Sequence, residues 1–228
     1  GIFNGLGADV TLVYRGEEIL RGFDGDIRTH VQDEMVKEGV DILTNNDITS
    51  IRKKGAGYEV TLKDGTSRKT SCVMYATGRV PYVAGLGLED VGVALGSDGE
   101  IKVDAYSQTS VDNIYAVGDV TNRSQLTPIA IREGAAFAET VFNNNPLAVD
   151  YSNIPTAVFS QPPVGTVGMT EEEARAAKFE VDIYKSVFRP MKHTLSGRDE
   201  KTLMKLIIDR ATDKVLGLHI VGPDSGEM

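Results

Sequence analysis

The chain has 228 residues, 41% hydrophobic and 25% charged, with 24 Gly, 8 Pro and no Trp. Such a composition suits a globular protein of one or two domains and excludes disordered, collagen-like and membrane-spanning classes. Thirty-three acidic residues against 24 basic ones leave a formal charge of -9, spread along the chain, so the basic face that nucleic-acid phosphates need is missing.

No apolar run reaches the ~18 residues of a membrane span, and no charged-then-apolar segment opens the chain. A soluble, cytoplasmic protein without nucleic-acid or membrane partners is expected. A single cysteine, Cys72, forbids an internal disulfide or a C-x-x-C pair within these residues. Gly1–Gly7 reads as the last turn of a helix closed by glycine, and Pro223–Met228 as a helix start with nothing after it. The expectation is a piece of a longer chain.

Val10–Tyr14 is an unbroken apolar and β-branched run, suited to a strand buried on both faces of a parallel sheet. Asp24–Lys37 follows with Ile27, Val31 and Met35 at four-residue spacing, an acidic start and Gly39 just beyond its end, and is predicted helical. Val40–Leu43 returns as a strand, so residues 10–43 form the strand, helix, strand unit of a Rossmann-like sheet. Thr49–Lys53, Tyr58–Lys63 and Arg68–Ala76, separated by glycine turns, are predicted to form an antiparallel meander.

A Gly-rich stretch over residues 80–99 leads to a predicted strand, Asn113–Val117, ended by Gly118-Asp119. Thr127–Asn143 is predicted helical, with Ile131, Ala135, Ala138 and Phe142 on one face. Beyond the Asn-rich loop, Thr156–Phe159, Val164–Met169, Val181–Phe188, Thr202–Asp209 and Val215–Val221 read as strands, and Thr170–Ala174 as a short helix opened by a capping box. The fold class expected is mixed: Rossmann-like α/β portions followed by a partial α+β domain.

Arg15 and Arg21 directly follow the first strand. In dinucleotide folds that strand end meets the adenosine ribose, where an acid bonds the 2′-hydroxyl of NAD and arginine pairs with the 2′-phosphate of NADP. Two solvated surface arginines are the plainer reading. Gly78, in Ala76-Thr77-Gly78-Arg79, either lets backbone approach a nucleotide or merely turns the chain. Asp119 either offers a carboxylate to sugar hydroxyls or caps the next turn. Thr127 either adds a hydroxyl at a helix N-terminus or acts as its N-cap before Pro128. His30 (helix), His193 (loop) and His219 (strand) have no metal-ligand spacing and read as surface or structural; Cys72 reads as a small buried hydrophobe.

The succession Val-Thr-Leu-Val-Tyr-Arg-Gly with a second Arg six residues on, Tyr-Ala-Thr-Gly-Arg-Val-Pro, Ile-Tyr-Ala-Val-Gly-Asp, Leu-Thr-Pro and Phe-Ser-Gln-Pro-Pro-Val-Gly-Thr-Val-Gly resembles the pyridine nucleotide disulfide oxidoreductases. Within that family it is most similar to glutathione reductases of the bacterial and plant type. The resemblance implies residues 1–81 as the end of an NADPH-binding domain, 82–152 as the end of an FAD-binding domain and 153–228 as part of a dimerisation domain. It implies Arg15 and Arg21 on the NADPH 2′-phosphate, Gly78 at the nucleotide, Leu126 near the nicotinamide, Asp119 on the FAD ribityl chain and Thr127 beside the flavin. It implies a homodimer reducing glutathione disulfide through flavin and a cysteine pair.

That cysteine pair and the flavin fingerprint would precede Gly1, and the acid/base histidine would follow Met228, so no catalytic residue is assigned here. One departure concerns substrate: Gly134 is followed by Ala135 where some glutathione reductases place a carboxylate-binding arginine, and trypanothione reductases resemble this chain there. The rivals are an NAD-linked lipoamide dehydrogenase, disfavoured by the arginine pair, and a non-enzymatic interaction module.

Overall fold

A computed structural model describes residues 1–228. Its helices are α1 (Ile2–Gly5), α2 (Gly25–Lys37), α3 (Leu88–Val91), α4 (Thr127–Phe142), α5 (Glu171–Ala176) and α6 (Met191–Ser196). Its strands are β1 (Thr11–Val13), β2 (Asp41–Leu43), β3 (Ile48–Lys54), β4 (Gly57–Leu62), β5 (Ser67–Thr70), β6 (Thr156–Val158), β7 (Val164–Gly168), β8 (Val181–Phe188), β9 (Thr202–Asp209) and β10 (Lys214–Val221). The chain divides into two compact units, residues 1–73 with 152–228, and residues 74–151.

In the first unit β1 and β2 pair in parallel, Thr11 opposite Asp41, with α2 as the crossover between them. Asp24 caps α2 by accepting the Asp26 N–H at 3.1 Å. Gly39, at φ +92°, follows the helix end in a conformation that side chains avoid. Ile27, Val31 and Met35 are buried against Val164, Leu203 and Val221 of the antiparallel sheet β6-β7-β10-β9-β8. Full burial of such a side chain contributes about 1.5–3 kcal/mol, so packing, more than helix propensity, holds α2 in place. On the same sheet, Ala174 of α5 packs with Val181 and Ile207. The capping box is present: Glu173 N–H donates to Thr170 Oγ1 at 3.1 Å and Thr170 N–H to Glu173 Oε2 at 2.9 Å. Gly217 sits at a bulge where a Cβ would strike the Met169 carbonyl oxygen.

Strands β3, β4 and β5 form the meander, but β5 stops at Thr70 and not Ala76. Thr70 pairs with Tyr58, next to the first residue of β4, so beyond it the ladder has no partner. Cys72 is consequently exposed, not buried. His193 lies in α6, not in a loop, and is buried with Nε2 at 3.2 Å from Glu200 Oε1. His30 Nε2 meets the Lys201 carbonyl at 2.9 Å, and His219 lies between Thr166 Oγ1 and the Met169 carbonyl.

The second unit gathers Leu88, Val93, Ile101 and Ala116 into a small core. Asn113–Val117 is extended at its end but forms no strand: Tyr115 makes one bridge to Gln108, and Ala116 N–H donates to the Ser107 carbonyl at 3.0 Å. No second neighbour extends the ladder within this unit. On α4 the buried positions are Ile129, Glu133 and Ala136, while Ile131 and Phe142 are 68% and 74% exposed. The apolar pattern thus marked the wrong face, because the buried Glu133 finds donors enough to satisfy its carboxylate.

Candidate functional site

The loop after β1 is pinned at both ends. Tyr14 N–H donates to the Leu43 carbonyl at 2.8 Å, and the Gly16 carbonyl accepts Asn45 N–H at 2.8 Å, which ties the loop start to the end of β2. Its middle is held by α2. Arg28 Nε donates to the Ile19 carbonyl at 2.9 Å, Arg28 Nη2 donates to the Glu18 carbonyl at 2.6 Å, and Ile19 N–H donates to Gln32 Oε1 at 3.3 Å. Leu20 and Gly22 both take positive φ, which reverses the chain toward the Asp24 cap. Arg15 and Arg21 flank this pinned stretch, both exposed and both without a hydrogen-bonded or ion-paired partner. Two unneutralised guanidiniums on a fixed loop suit a phosphate.

The other four residues expected at the site lie in the second unit. Gly78 takes φ +115° and nothing lies within 4 Å of where its Cβ would be. Asp119 belongs to a 3₁₀ turn, Gly118–Thr121, and is 47% exposed at its side chain, 3.5 Å from the Arg79 guanidinium. Its carboxylate takes no backbone N–H, so it does not cap the turn. Leu126 is the half-buried N-cap of α4, and Thr127 is its first residue, exposed with an unbonded hydroxyl. Thr127 is therefore not the cap.

Glu133 was not among the expected residues. Fully buried on α4, it accepts the Gly118 N–H at 2.5 Å and the Tyr151 hydroxyl at 2.6 Å, with the Arg123 guanidinium at 3.3 Å. Arg123 in turn lies over the Tyr151 ring. Burial, and then the hydrogen bond to Glu133, push the Tyr151 hydroxyl up to about 12. Glu133 thereby clamps the residue preceding Asp119. Gly118 itself takes φ +77°, where a side chain would be strained, and a Cβ there would press on the Ala130 methyl at 3.2 Å.

A second unforeseen cluster gathers at the Asp24 cap of α2. Lys205 of β9 is nearly fully buried, with Nζ 2.9 Å from Asp24, 2.6 Å from Asp26 and 2.8 Å from Glu171. Burial opposes its charge, but the hydrogen bonds to Asp26, Glu171 and Asp24 outweigh that and raise its pKa. Lys205 holds Glu171 below the ordinary range of a glutamate; burial works the other way on Asp26, but Lys205 and Lys185 lower it. The sequence did carry a signal: Lys205 shares parity with the buried Leu203 and Ile207 on an alternating strand.

Residues 1–134 match the family model described as pyridine nucleotide-disulphide oxidoreductase, and residues 154–228 match that family's dimerisation domain. The chain belongs to the pyridine nucleotide-disulphide oxidoreductase family. It is 50% identical to a glutathione reductase from Burkholderia cepacia, 48% identical to a chloroplastic/mitochondrial glutathione reductase from Pisum sativum, and 46% identical to a trypanothione reductase from Leishmania donovani. All of this chain is covered in each comparison, but only 51%, 42% and 48% of those proteins. The chain spans about half the length of the curated relatives it matches. It superposes with a TM-score of 0.92 on the HOCl-induced flavoprotein disulfide reductase RclA from Escherichia coli, at 28% identity, covering 100% of this chain and 52% of that one.

Proposed function

We propose that the chain is part of an NADPH-dependent, FAD-containing reductase of glutathione disulfide. The observation that carries this reading is the pair Arg15 and Arg21, exposed and unpaired on a braced loop, in a chain 50% identical to a glutathione reductase. An NAD-linked lipoamide dehydrogenase is expected to place an acid where Arg15 and Arg21 stand.

The residues present fit both cofactors. Arg15 and Arg21 would grip the 2′-phosphate of NADPH through charge-assisted hydrogen bonds. The open, positive-φ backbone at Gly78 would admit the nucleotide, and Leu126 would lie near the nicotinamide. Asp119, kept in place by the Gly118–Glu133 hydrogen bond, would accept hydrogen bonds from the FAD ribityl hydroxyls. Thr127, its hydroxyl unbonded, would lie beside the flavin at the positive end of a 16-residue helix. Bound NADPH and FAD would supply the hydride and electron transfer toward a disulfide. Residues 153–228 would form a homodimer that completes the site.

Stopped-flow absorbance of the full-length, flavin-loaded protein tests this. Rapid flavin bleaching by NADPH and recovery with glutathione disulfide is the expected result; bleaching by NADH but not NADPH overturns it. A second reading, reduction of a less anionic disulfide such as trypanothione disulfide, is favoured by exposed Ala135, which offers no cation to a carboxylate. Steady-state rates with both disulfides decide between the two.

A further inference from the structure

The loop between Arg15 and Arg21 has no regular structure of its own, yet its three central backbone groups are all taken by side chains of one helix. The Glu18 and Ile19 carbonyls accept from Arg28, and the Ile19 N–H donates to Gln32. Thr29, between them on α2, donates its hydroxyl to the Glu18 carboxylate at 2.6 Å. Ile19 is buried in the core that includes Ile27 and Val31. These central ties all come from one stretch of α2, residues 28–32, and fall midway along the chain between the two free guanidiniums. Long arginine side chains lose much rotamer entropy on binding, and each degree of freedom left in the loop adds to that loss.

We propose that Arg28, assisted by Gln32, is a specificity-determining positioning residue: it holds the loop so that Arg15 and Arg21 are presented together to the 2′-phosphate of a nicotinamide nucleotide. This rests on the NADPH reading above and adds a residue to it. Arg28 itself is occupied by two carbonyls and contributes through the loop's shape. Its charge would act similarly on any anion nearby, whereas a positioned arginine pair acts on the 2′-phosphate alone.

Calorimetric binding of adenosine 2′,5′-bisphosphate and of 5′-AMP to the full-length, flavin-loaded protein separates these cases. Arg28→Met is expected to weaken the bisphosphate about tenfold or more, the scale of one charge-assisted hydrogen bond lost, and to change 5′-AMP binding far less. Arg28→Lys keeps the charge but cannot reach both carbonyls from one planar fork, so it is expected to fall nearer Arg28→Met than the parent. Gln32→Leu, which frees one tie only, is expected to weaken the bisphosphate in the same direction and by less. Steady-state selectivity for NADPH over NADH should fall in the same order.

Bisphosphate affinity within twofold of the parent in both Arg28→Met and Gln32→Leu overturns the proposal. Parent-like affinity in Arg28→Lys overturns it too, since charge and not position would then be at work. If Arg28→Met fails to fold, Gln32→Leu and Arg28→Lys decide. A parent that binds the bisphosphate no better than 5′-AMP refutes the NADPH reading itself, and this inference with it.

Discussion

Replacing Lys205 by Met removes the one buried cation that faces Asp24, Asp26 and Glu171 within 2.9 Å. Asp24 is fully buried and keeps only the Asp26 and Glu171 N–H groups as donors, at 3.1 and 3.0 Å. Lys185, 3.0 Å from Asp26, is half exposed and compensates weakly. Breaking a buried ion pair from one side costs about 3–5 kcal/mol, and for a unit of this size each kcal/mol lowers the melting temperature by about 2–4 °C. The expected fall in the full-length protein is therefore about 6–20 °C near neutral pH. Its pH dependence is the sharper test. In the parent, the folded pKa of Glu171 lies below its ordinary 4.5, so its contribution is present above that value and is lost as the pH falls through the folded pKa. Lys205, shifted upward, contributes fully below 10.5 and loses its contribution only as the pH rises past its folded pKa. The variant weakens the acid side: Asp26 keeps only the half-exposed Lys185 and Glu171 only the exposed Arg175, so three crowded carboxylates lose the cation they share, and acidification neutralises them and relieves the repulsion. The gap between parent and variant melting temperatures should narrow between about pH 7 and about pH 5. A gap under about 3 °C, or one that stays constant over that range, refutes the reasoning.

Glu133→Ala leaves the Gly118 N–H and the Tyr151 hydroxyl without their acceptor, at a cost of about 1–3 kcal/mol for each buried group left unsatisfied. It should also raise the fraction of flavin released on gel filtration, with Glu133→Gln, which keeps one carbonyl acceptor, falling between; flavin retention equal to the parent in both counts against the Asp119 assignment. Arg15→Met and Arg21→Met should each weaken adenosine 2′,5′-bisphosphate about tenfold to a hundredfold by calorimetry, and no change in either makes them ordinary surface charges. In an ultraviolet difference titration, Tyr151→Phe should remove one tyrosine from the latest-ionising group, since Tyr151 is held near 12; loss of an early-titrating tyrosine contradicts its hydrogen bond to Glu133.

Local chemistry made most of the fold legible. The α2 cap at Asp24, the capping box at Thr170 and Glu173, and the strands β8, β9 and β10 each depend on residues close together in sequence, and each lies within a few residues of its expected place. The two misplaced strands share one cause. Arg68–Ala76 and Asn113–Val117 have strand-like composition, but a strand exists only where a neighbour supplies its ladder, and sequence pattern does not report that neighbour. Cys72 followed the first of these errors. The misjudged face of α4 arose differently: hydrophobic periodicity counts a glutamate as outward, and only a three-donor pocket, built from Gly118, Tyr151 and Arg123, makes Glu133 inward.

The candidate site divides along the same line. Arg15, Arg21, Asp119 and Thr127, proposed above to meet the cofactors, could be named from sequence because each follows a local landmark: the end of the first strand, a Gly-Asp turn or the start of a helix. Arg28 and Glu133 could not be, and strand parity marks Lys205 only as inward-facing, because their partners are backbone groups or side chains distant in sequence: Lys205 reaches Asp24 across 181 positions. Those three nevertheless bind the segments that carry the named residues. Lys205 holds the Asp24 cap of α2, and Arg28 ties that helix to the Ile19 carbonyl of the arginine loop. Glu133 holds Gly118 next to Asp119 in the same manner. On the proposed reading, substitution of a named residue removes one contact to a nucleotide while substitution of a holding residue loosens several at once, so a double-mutant cycle between Arg28 and Arg21 on bisphosphate affinity should show coupling, and strict additivity refutes it.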